Sequence, residues 1–259
     1  MTMISRTAMT SREQTARLLA ICLLLAAPLA TADQHAAAAL EAALTSADRP
    51  AEDKARDAGR KPAQVLTFLG ISSGMTVMDV IAAGGYYTEV LSVAVGESGR
   101  VYAQNPAVVL QFRDGANDKE ITARLADNRL ANVIRWDREI DDLGIEPGSL
   151  DAAITALNLH DLYNRDPAVA VGMLRAIKSL LKPGGVFGII DHAGNPGAAN
   201  AELHRMEKAQ AIEAAATAGF EVAGDSDLLA NPEDDHTRMV FAPEVRGKTD
   251  RFLLKLIKR

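Results

Sequence analysis

Residues 76–104 read Thr76-Val-Met-Asp-Val-Ile-Ala-Ala-Gly-Gly-Tyr-Tyr-Thr-Glu-Val-Leu-Ser-Val-Ala-Val-Gly-Glu-Ser-Gly-Arg-Val-Tyr-Ala-Gln104. A short apolar run, Thr76 to Val80, stops at a small-residue turn, Ala82 to Gly85. A helical pattern carries the chain to Gly96, and a second apolar run begins at Arg100. This is a β-turn-α-β unit whose first turn is poor in side chains. Such a turn lies at the carboxyl end of a strand, where open α/β sheets bind ligands. The expectation is a nucleotide-like ligand.

Outward from this unit, strands and helices keep alternating. Further strands are predicted over 132–136, 150–156, 186–190, from 220, and over 251–258. Helices are predicted from Pro62, over 106–126 with an interruption near Gly115, over 167–181 and over 205–218. Lys182-Pro-Gly-Gly ends the third of these, with Gly184 or Gly185 able to take the left-handed cap conformation. The alternation argues for a mostly parallel sheet with helices on both faces. Its strands are near-continuous apolar runs, as both-face burial requires. Residues 231–250 form a long polar connection, and such connections are often functional. Residues 33–45 are Ala-rich and helix-prone, and the charged run Arg49 to Arg60 reads as a solvated segment. The expected organisation is a signal peptide (1–32), an N-terminal helical arm (33–61) and one domain (62–259).

Arg6, Arg12 and Arg17 give a basic leader, Leu18 to Ala30 is a short apolar core, and Ala30-Thr31-Ala32 fits a small-x-small cleavage site. This is the pattern of a secretory signal peptide. The expected location is therefore periplasmic or extracellular. Cleavage after Ala32 leaves 227 residues and removes Cys22, the only cysteine. The mature chain then has no disulfide, no thiol nucleophile and no cysteine metal site. Three Arg and one Glu leave with the segment, taking the formal charge from −6 to −8. An acidic chain is a poor partner for nucleic acid or anionic lipid. No second apolar run is long enough to span a bilayer, so no stable membrane insertion is expected after cleavage.

Three stretches, Val77-Met-Asp-Val-Ile-Ala-Ala-Gly-Gly, Leu150-Asp-Ala-Ala-Ile-Thr-Ala-Leu-Asn-Leu-His-Asp and Leu180-Leu-Lys-Pro-Gly-Gly-Val-Phe-Gly-Ile-Ile-Asp-His, stand in order along the chain. With the order of elements they resemble the class I S-adenosylmethionine-dependent methyltransferases, over roughly Pro62 to the C-terminus. Gly84 to Glu89, Asn158 to Asp161 and Gly247 to Phe252 resemble more closely a group of predicted, often exported bacterial methyltransferases. The resemblance implies an α/β, doubly wound, mostly parallel seven-stranded sheet in the order 3-2-1-4-5-7-6, with an antiparallel last strand. It also implies S-adenosylmethionine as cofactor and methyl transfer to a small molecule.

On that reading Ala83, Gly84 and Gly85 let the chain pass close to the cofactor. Backbone N–H groups opening the next helix face its carboxylate. Asp79 holds the ammonium side, and Tyr87, with Tyr86, lines the site or meets the sulfonium. The family's second strand usually ends in an acidic residue for the ribose hydroxyls; here Asn105 stands there. The family's first two turn glycines are replaced by Ile81 and Ala83. Asp137 is placed at the adenine amino group, with Trp136 beside the ring. Asp79 also reads as a cap and Asn105 as a turn residue.

Asn158, His160 and Asp161 follow the fourth strand on a loop that faces the transferable methyl in this fold. Methyl transfer to oxygen or carbon needs positioning and a base. His160 is one candidate base, with Asp161 orienting a histidine and Asn158 the substrate. His192, after the fifth strand, is the rival. His204 and His236 read as loop residues bonded to backbone. No metal site is expected: adjacent residues rarely face one centre, and no His-x-x-x-His spacing occurs. The competing reading is an exported, non-catalytic ligand-binding protein with a degenerate methyltransferase fold. A dinucleotide-dependent oxidoreductase ranks lower, because the turn has no Gly-x-Gly-x-x-Gly.

Overall fold

Seven strands pair in the order β3-β2-β1-β4-β5-β7-β6 in a computed structural model that describes residues 33–259. The signal-peptide reading of residues 1–32 lies outside the described residues. The strands are β1 (Thr76–Val80), β2 (Arg100–Asn105), β3 (Val133–Asp137), β4 (Leu150–Ala156), β5 (Leu181–His192), β6 (Glu221–Ser226) and β7 (Arg251–Ile257). The pairs β1–β2, β1–β4, β2–β3 and β4–β5 are parallel; β7 runs antiparallel to β5 and β6. The expected order and directions are those observed.

Successive residues of a strand point to opposite faces. Val77 of β1 and Ala152 and Ile154 of β4 therefore share one apolar layer, while Met78, Val80 and Ala153 share the other. The first layer is closed by α3 (Pro62–Leu69) and α4 (Tyr86–Val95). The second is closed by α6 (Leu159–Arg165), α7 (Pro167–Leu180) and α9 (Lys208–Thr217). Local signals set the helix ends. Pro62 opens α3 and Gly70, at φ 79°, closes it. Asp166 caps α7 through the Ala168 N–H, 2.8 Å away. The helical run α5 (Ala107–Leu125) is broken at Phe112 to Gly115, where the interruption was expected. Among the described residues no helix is long and apolar enough to cross a membrane.

Three expectations are corrected. Lys182-Pro-Gly-Gly does not cap α7: Leu181 is already extended and opens β5, pairing with Leu150. Gly184 does take a positive φ, but as a bend within the strand whose N–H meets Lys258 C=O at 2.7 Å. The segment after β4 is helix α6, not a loop.

The third correction concerns Arg49 to Arg60, which is not a solvated segment. Residues 33–46 form α1 and Ala51–Arg60 form α2. Arg49 and Asp53 are buried. Arg49 Nη1 lies 2.6 Å from Asp57. Asp53 pairs with Arg124 of α5 at 2.7 Å, and Arg124 also pairs with the buried Glu89 of α4. Arg129 completes the pairing of Glu89. A charged segment is thus held against α4 and α5 by ion pairs and hydrogen bonds to residues far along the chain, which keep buried charges compensated. Arg124→Met leaves Glu89 and Asp53 buried with fewer partners. It is expected to cost about 3–5 kcal/mol, read as a lower denaturant midpoint by circular dichroism.

Candidate functional site

The turn after β1 is wound left-handed at three positions: Ile81 at φ 59°, Ala83 at φ 49° and Gly85 at φ 87°. Such a φ at a residue with a side chain costs roughly 1–3 kcal/mol and persists only where surrounding structure over-determines it. Ile81 and Ala83 stand where the methyltransferase pattern expects glycine. The chain follows a glycine path without the glycines.

The end of β2 supplies the constraint. Gln104 Oε1 accepts the Ile81 N–H (3.0 Å), and the Gln104 carbonyl accepts the Ala82 N–H (2.9 Å). Asn105 Oδ1 accepts the Ala83 N–H (2.8 Å), and its amide donates to the Ala83 carbonyl (3.1 Å). Both side chains are fully buried. Both polar ends of Asn105 are therefore engaged by the turn itself.

A cleft of about 230 Å³ opens above this turn. Asp79, Ala82 to Gly85, Tyr86 and Tyr87 form one wall, and Ala156 at the end of β4 with Leu157 just after it another. Arg56 and Arg60 of α2 and Asn117 and Glu120 of α5 complete it. The cleft straddles β1 and β4, where the strand order reverses and open α/β sheets bind ligands. Of the residues expected to bind a cofactor, Asp79, Ala83, Gly84, Gly85 and Tyr87 meet here. Asn105 lies beneath the turn. Asp137 does not line the cleft; it pairs with Arg135 at 2.7 Å at the end of β3. Trp136 beside it donates to Leu143 C=O and packs edge-on against Tyr102.

Gly85 offers no side-chain cap to α4, so the positive end of the helix opens onto the cleft. The Arg60 and Arg56 guanidinium groups lie 4.3 and 4.8 Å from the Tyr86 ring centre, a cation–π arrangement. The Tyr86 hydroxyl donates to Asp57 at 2.6 Å. Burial pushes the Tyr87 phenol up to about 12. Asp79 accepts the Thr88 hydroxyl at 2.7 Å. Burial pushes its carboxyl up to about 6, against the opposing pull of that hydrogen bond and of the Arg124 and Arg60 charges.

A second cluster sits at the same carboxyl edge, where α6 begins and β5 ends. Asn158 ties it to the turn, donating to Ala156 C=O (2.9 Å) and Ile81 C=O (3.2 Å). The fully buried Asp191 accepts the backbone N–H of His160 (2.7 Å) and of His192 (2.8 Å). His160 Nδ1 lies 2.6 Å from the same carboxylate. That contact assigns the proton to Nδ1 and turns Nε2 to the other side. Nε2 is buried 3.3 Å from Asp161 Oδ1 without the alignment of a hydrogen bond. His204 Nδ1 meets the same Asp161 oxygen at 3.0 Å. Burial lowers the affinity of the His160 ring for a proton, but the Asp191 and Asp161 carboxylates outweigh it and raise the pKa to about 10. His192, whose Nδ1 is 2.8 Å from Thr249 Oγ1, is pushed down to about 3 by burial. His236 is held at both ring nitrogens, by Asn195 and Asp250. Among the described residues no histidine lines the cleft.

No protein-family model matches the chain, and no curated protein matches it. Solved structures do. A SAM-dependent methyltransferase from Aquifex aeolicus aligns over 76% of this chain and 89% of its own, with TM-score 0.58 and 22% identity. One from Mesorhizobium loti aligns over 77% and 97%, with TM-score 0.52 and 15% identity. The fold is the Rossmann-like methyltransferase fold. The cyclase SpnF shares it, over 78% of this chain and 80% of its own, at TM-score 0.57 and 17% identity. At these identities the likeness is one of fold, and the chemistry has to be argued from the site.

Sequence reasoning missed several groups that this methyltransferase fold brings together. Arg56 and Arg60 were assigned to solvent and Glu120 to an ordinary helix. His204 was read as bonded to backbone, whereas Asp161 holds it. Thr249 lies in the Gly247 to Phe252 phrase, so a signal for it was present.

The raised pKa of Asp79 has a consequence for stability. As pH rises, the unfolded chain releases this proton near 3.8 and the folded chain near 6. Between these values the folded state binds more protons, so stability falls with rising pH and stays lower above the interval. Asp79→Asn removes that loss. The variant is expected to melt above the wild type near neutral pH, with the difference closing at about pH 4, as measured by differential scanning calorimetry.

Proposed function

We propose that this protein is an S-adenosylmethionine-dependent methyltransferase that transfers a methyl group to oxygen or carbon of a small molecule. One observation carries the reading: a clamped, left-handed, side-chain-poor turn opens an uncapped helix N-terminus onto a cleft at the strand-order switch. When bound, S-adenosylmethionine supplies an electrophilic methyl on a sulfonium. The residues present fit its methionyl half. The turn Ala82 to Gly85 keeps bulky side chains off the cleft wall, with Gly84 making room for the Glu120 carboxylate and Gly85 for Ile121 and Arg124. The α4 N-terminus and Arg60 favour the carboxylate, and Asp79 favours the ammonium. The adenosine half has a different partner from the one expected. Asn105 is engaged by Ala83, so the ribose hydroxyls fall to Glu120, the other carboxylate lining the cleft. The cleft is also smaller than ordinary ligand pockets of about 300–1,000 Å³, so full occupancy requires the half-exposed Glu120 side chain to swing from its place over Gly84 to the ribose hydroxyls.

An oxygen or carbon acceptor gives up a proton. Of the two candidate bases His192 is neutral and free to take it, whereas His160, whose pKa the neighbouring carboxylates raise to about 10, takes it only after losing its own. Asp191 holds His160 in one tautomer, Thr249 orients His192, and Asn158 fixes the edge of β4 beside the turn. Export through the signal peptide of residues 1–32 places this chemistry in the periplasm or outside the cell. Small size and the engaged Asn105 favour the second reading, a binding protein on a degenerate methyltransferase fold.

Calorimetric titration with S-adenosylmethionine and S-adenosylhomocysteine separates the two. Dissociation constants in the micromolar range, weakened at least tenfold (about 1.4 kcal/mol) by Asp79→Ala, are expected. No heat with either ligand at millimolar concentration would overturn the methyltransferase reading.

A further inference from the structure

We infer that His160, Asp161 and His204 form a three-ligand site for a divalent transition-metal ion. Their ligand atoms lie within 4.8 Å of one another. His160 Nε2 is 3.3 Å from Asp161 Oδ1, which is 3.0 Å from His204 Nδ1. Two ligands, each about 2.0–2.2 Å from one ion, are separated by about 3.0–3.5 Å in octahedral or tetrahedral coordination. Two of the three pairs already stand at that spacing, and the third, His160 to His204, lies within 4.8 Å and closes by a small rotation of the half-exposed His204 ring.

A second observation is independent of the clustering. The His160 side chain is 3% exposed, and among the described residues Nε2 has no hydrogen-bond partner. A buried polar atom without a partner is costly and calls for a ligand. On the opposite nitrogen, Asp191 receives Nδ1 and is itself anchored by two backbone N–H groups. A carboxylate behind a histidine is the usual outer support of a metal-binding imidazole, fixing its tautomer and orientation.

His204 is delivered by a left-handed backbone, φ 53°, at the end of the short helix α8 (Asn200–Leu203), and its ring packs 5.1 Å from that of Phe241. Asp161 and His204 are 59% and 36% exposed, so the cluster is open on one side. Two imidazoles and one carboxylate suit zinc, cobalt, nickel or ferrous iron better than magnesium or calcium. Three protein ligands with an open position is the pattern of a reactive site, not a closed structural one. With an ion on His160, His192 remains as the base at this edge.

The test uses tag-free, chelator-treated full-length protein titrated with Co²⁺, followed by calorimetry and by the visible absorption of the bound ion. One equivalent of Co²⁺ is expected, with d–d bands that Zn²⁺ abolishes by displacement. His204→Ala and Asp161→Asn should each weaken binding by more than the roughly 10–100-fold that loss of an outer partner costs, while the far-ultraviolet circular dichroism stays that of the wild type. Absence of saturable uptake would overturn the inference, and so would uptake unaltered in both variants. The cofactor cleft contains none of these three residues, so failure here leaves the S-adenosylmethionine titration to stand or fall separately.

Discussion

The structure turns on the path of five residues, Ile81 to Gly85. Left to itself, a non-glycine residue avoids the left-handed region, and two of the three left-handed positions here, Ile81 and Ala83, are non-glycine. The path holds because buried Gln104 and Asn105 satisfy the turn's backbone groups from the neighbouring strand. Those bonds form in a dry setting, where an unpaired N–H or C=O is expensive. Everything that makes the cleft follows from this. The turn sets where α4 starts and aims its N-terminus. It also leaves Asp79 enclosed beneath it and gives Asn158 a carbonyl to grip.

The replacement of glycines in the turn therefore reads differently in three dimensions. Ile81 and Ala83 suggest a lost site if glycine is treated as a requirement. The requirement is a backbone conformation, and a side-chain clamp from β2 enforces it. The same clamp explains Asn105. The residue at the family's ribose position works inward on the turn, and the acidic group at the cleft comes from α5 instead.

The sheet was legible because period and punctuation are local. Apolar runs such as Val77 to Val80 and Leu150 to Ala156 alternate with helical patterns ended by Gly70 or opened by Pro167, and the order of strands follows. What was not legible depends on partners far away in sequence. The Asp53–Arg124 pair joins residues 71 positions apart, and nothing near Asp53 distinguishes it from a solvated acid. His204 finds Asp161 across 43 positions. The Lys182-Pro-Gly-Gly phrase misled for the opposite reason: its local signal is strong, but pairing of Leu181 with Leu150 makes it strand. That Asp79, Gly84 and Gly85 would line a cleft could be read from their place at the carboxyl end of a strand. The role of the α2 arginines could not, because it is set by the stacking of one helix on the rings of another.

Two groups of polar residues thus share one edge of the sheet, a cleft at the strand-order switch and a carboxylate-supported histidine cluster. The central claim is that the clamped turn is the cradle of S-adenosylmethionine. Hydrogen–deuterium exchange with and without S-adenosylhomocysteine tests it most directly. The account predicts slowed exchange at the amides of residues 81–88, the turn and the first turn of α4. Unchanged exchange there at saturating ligand would contradict it.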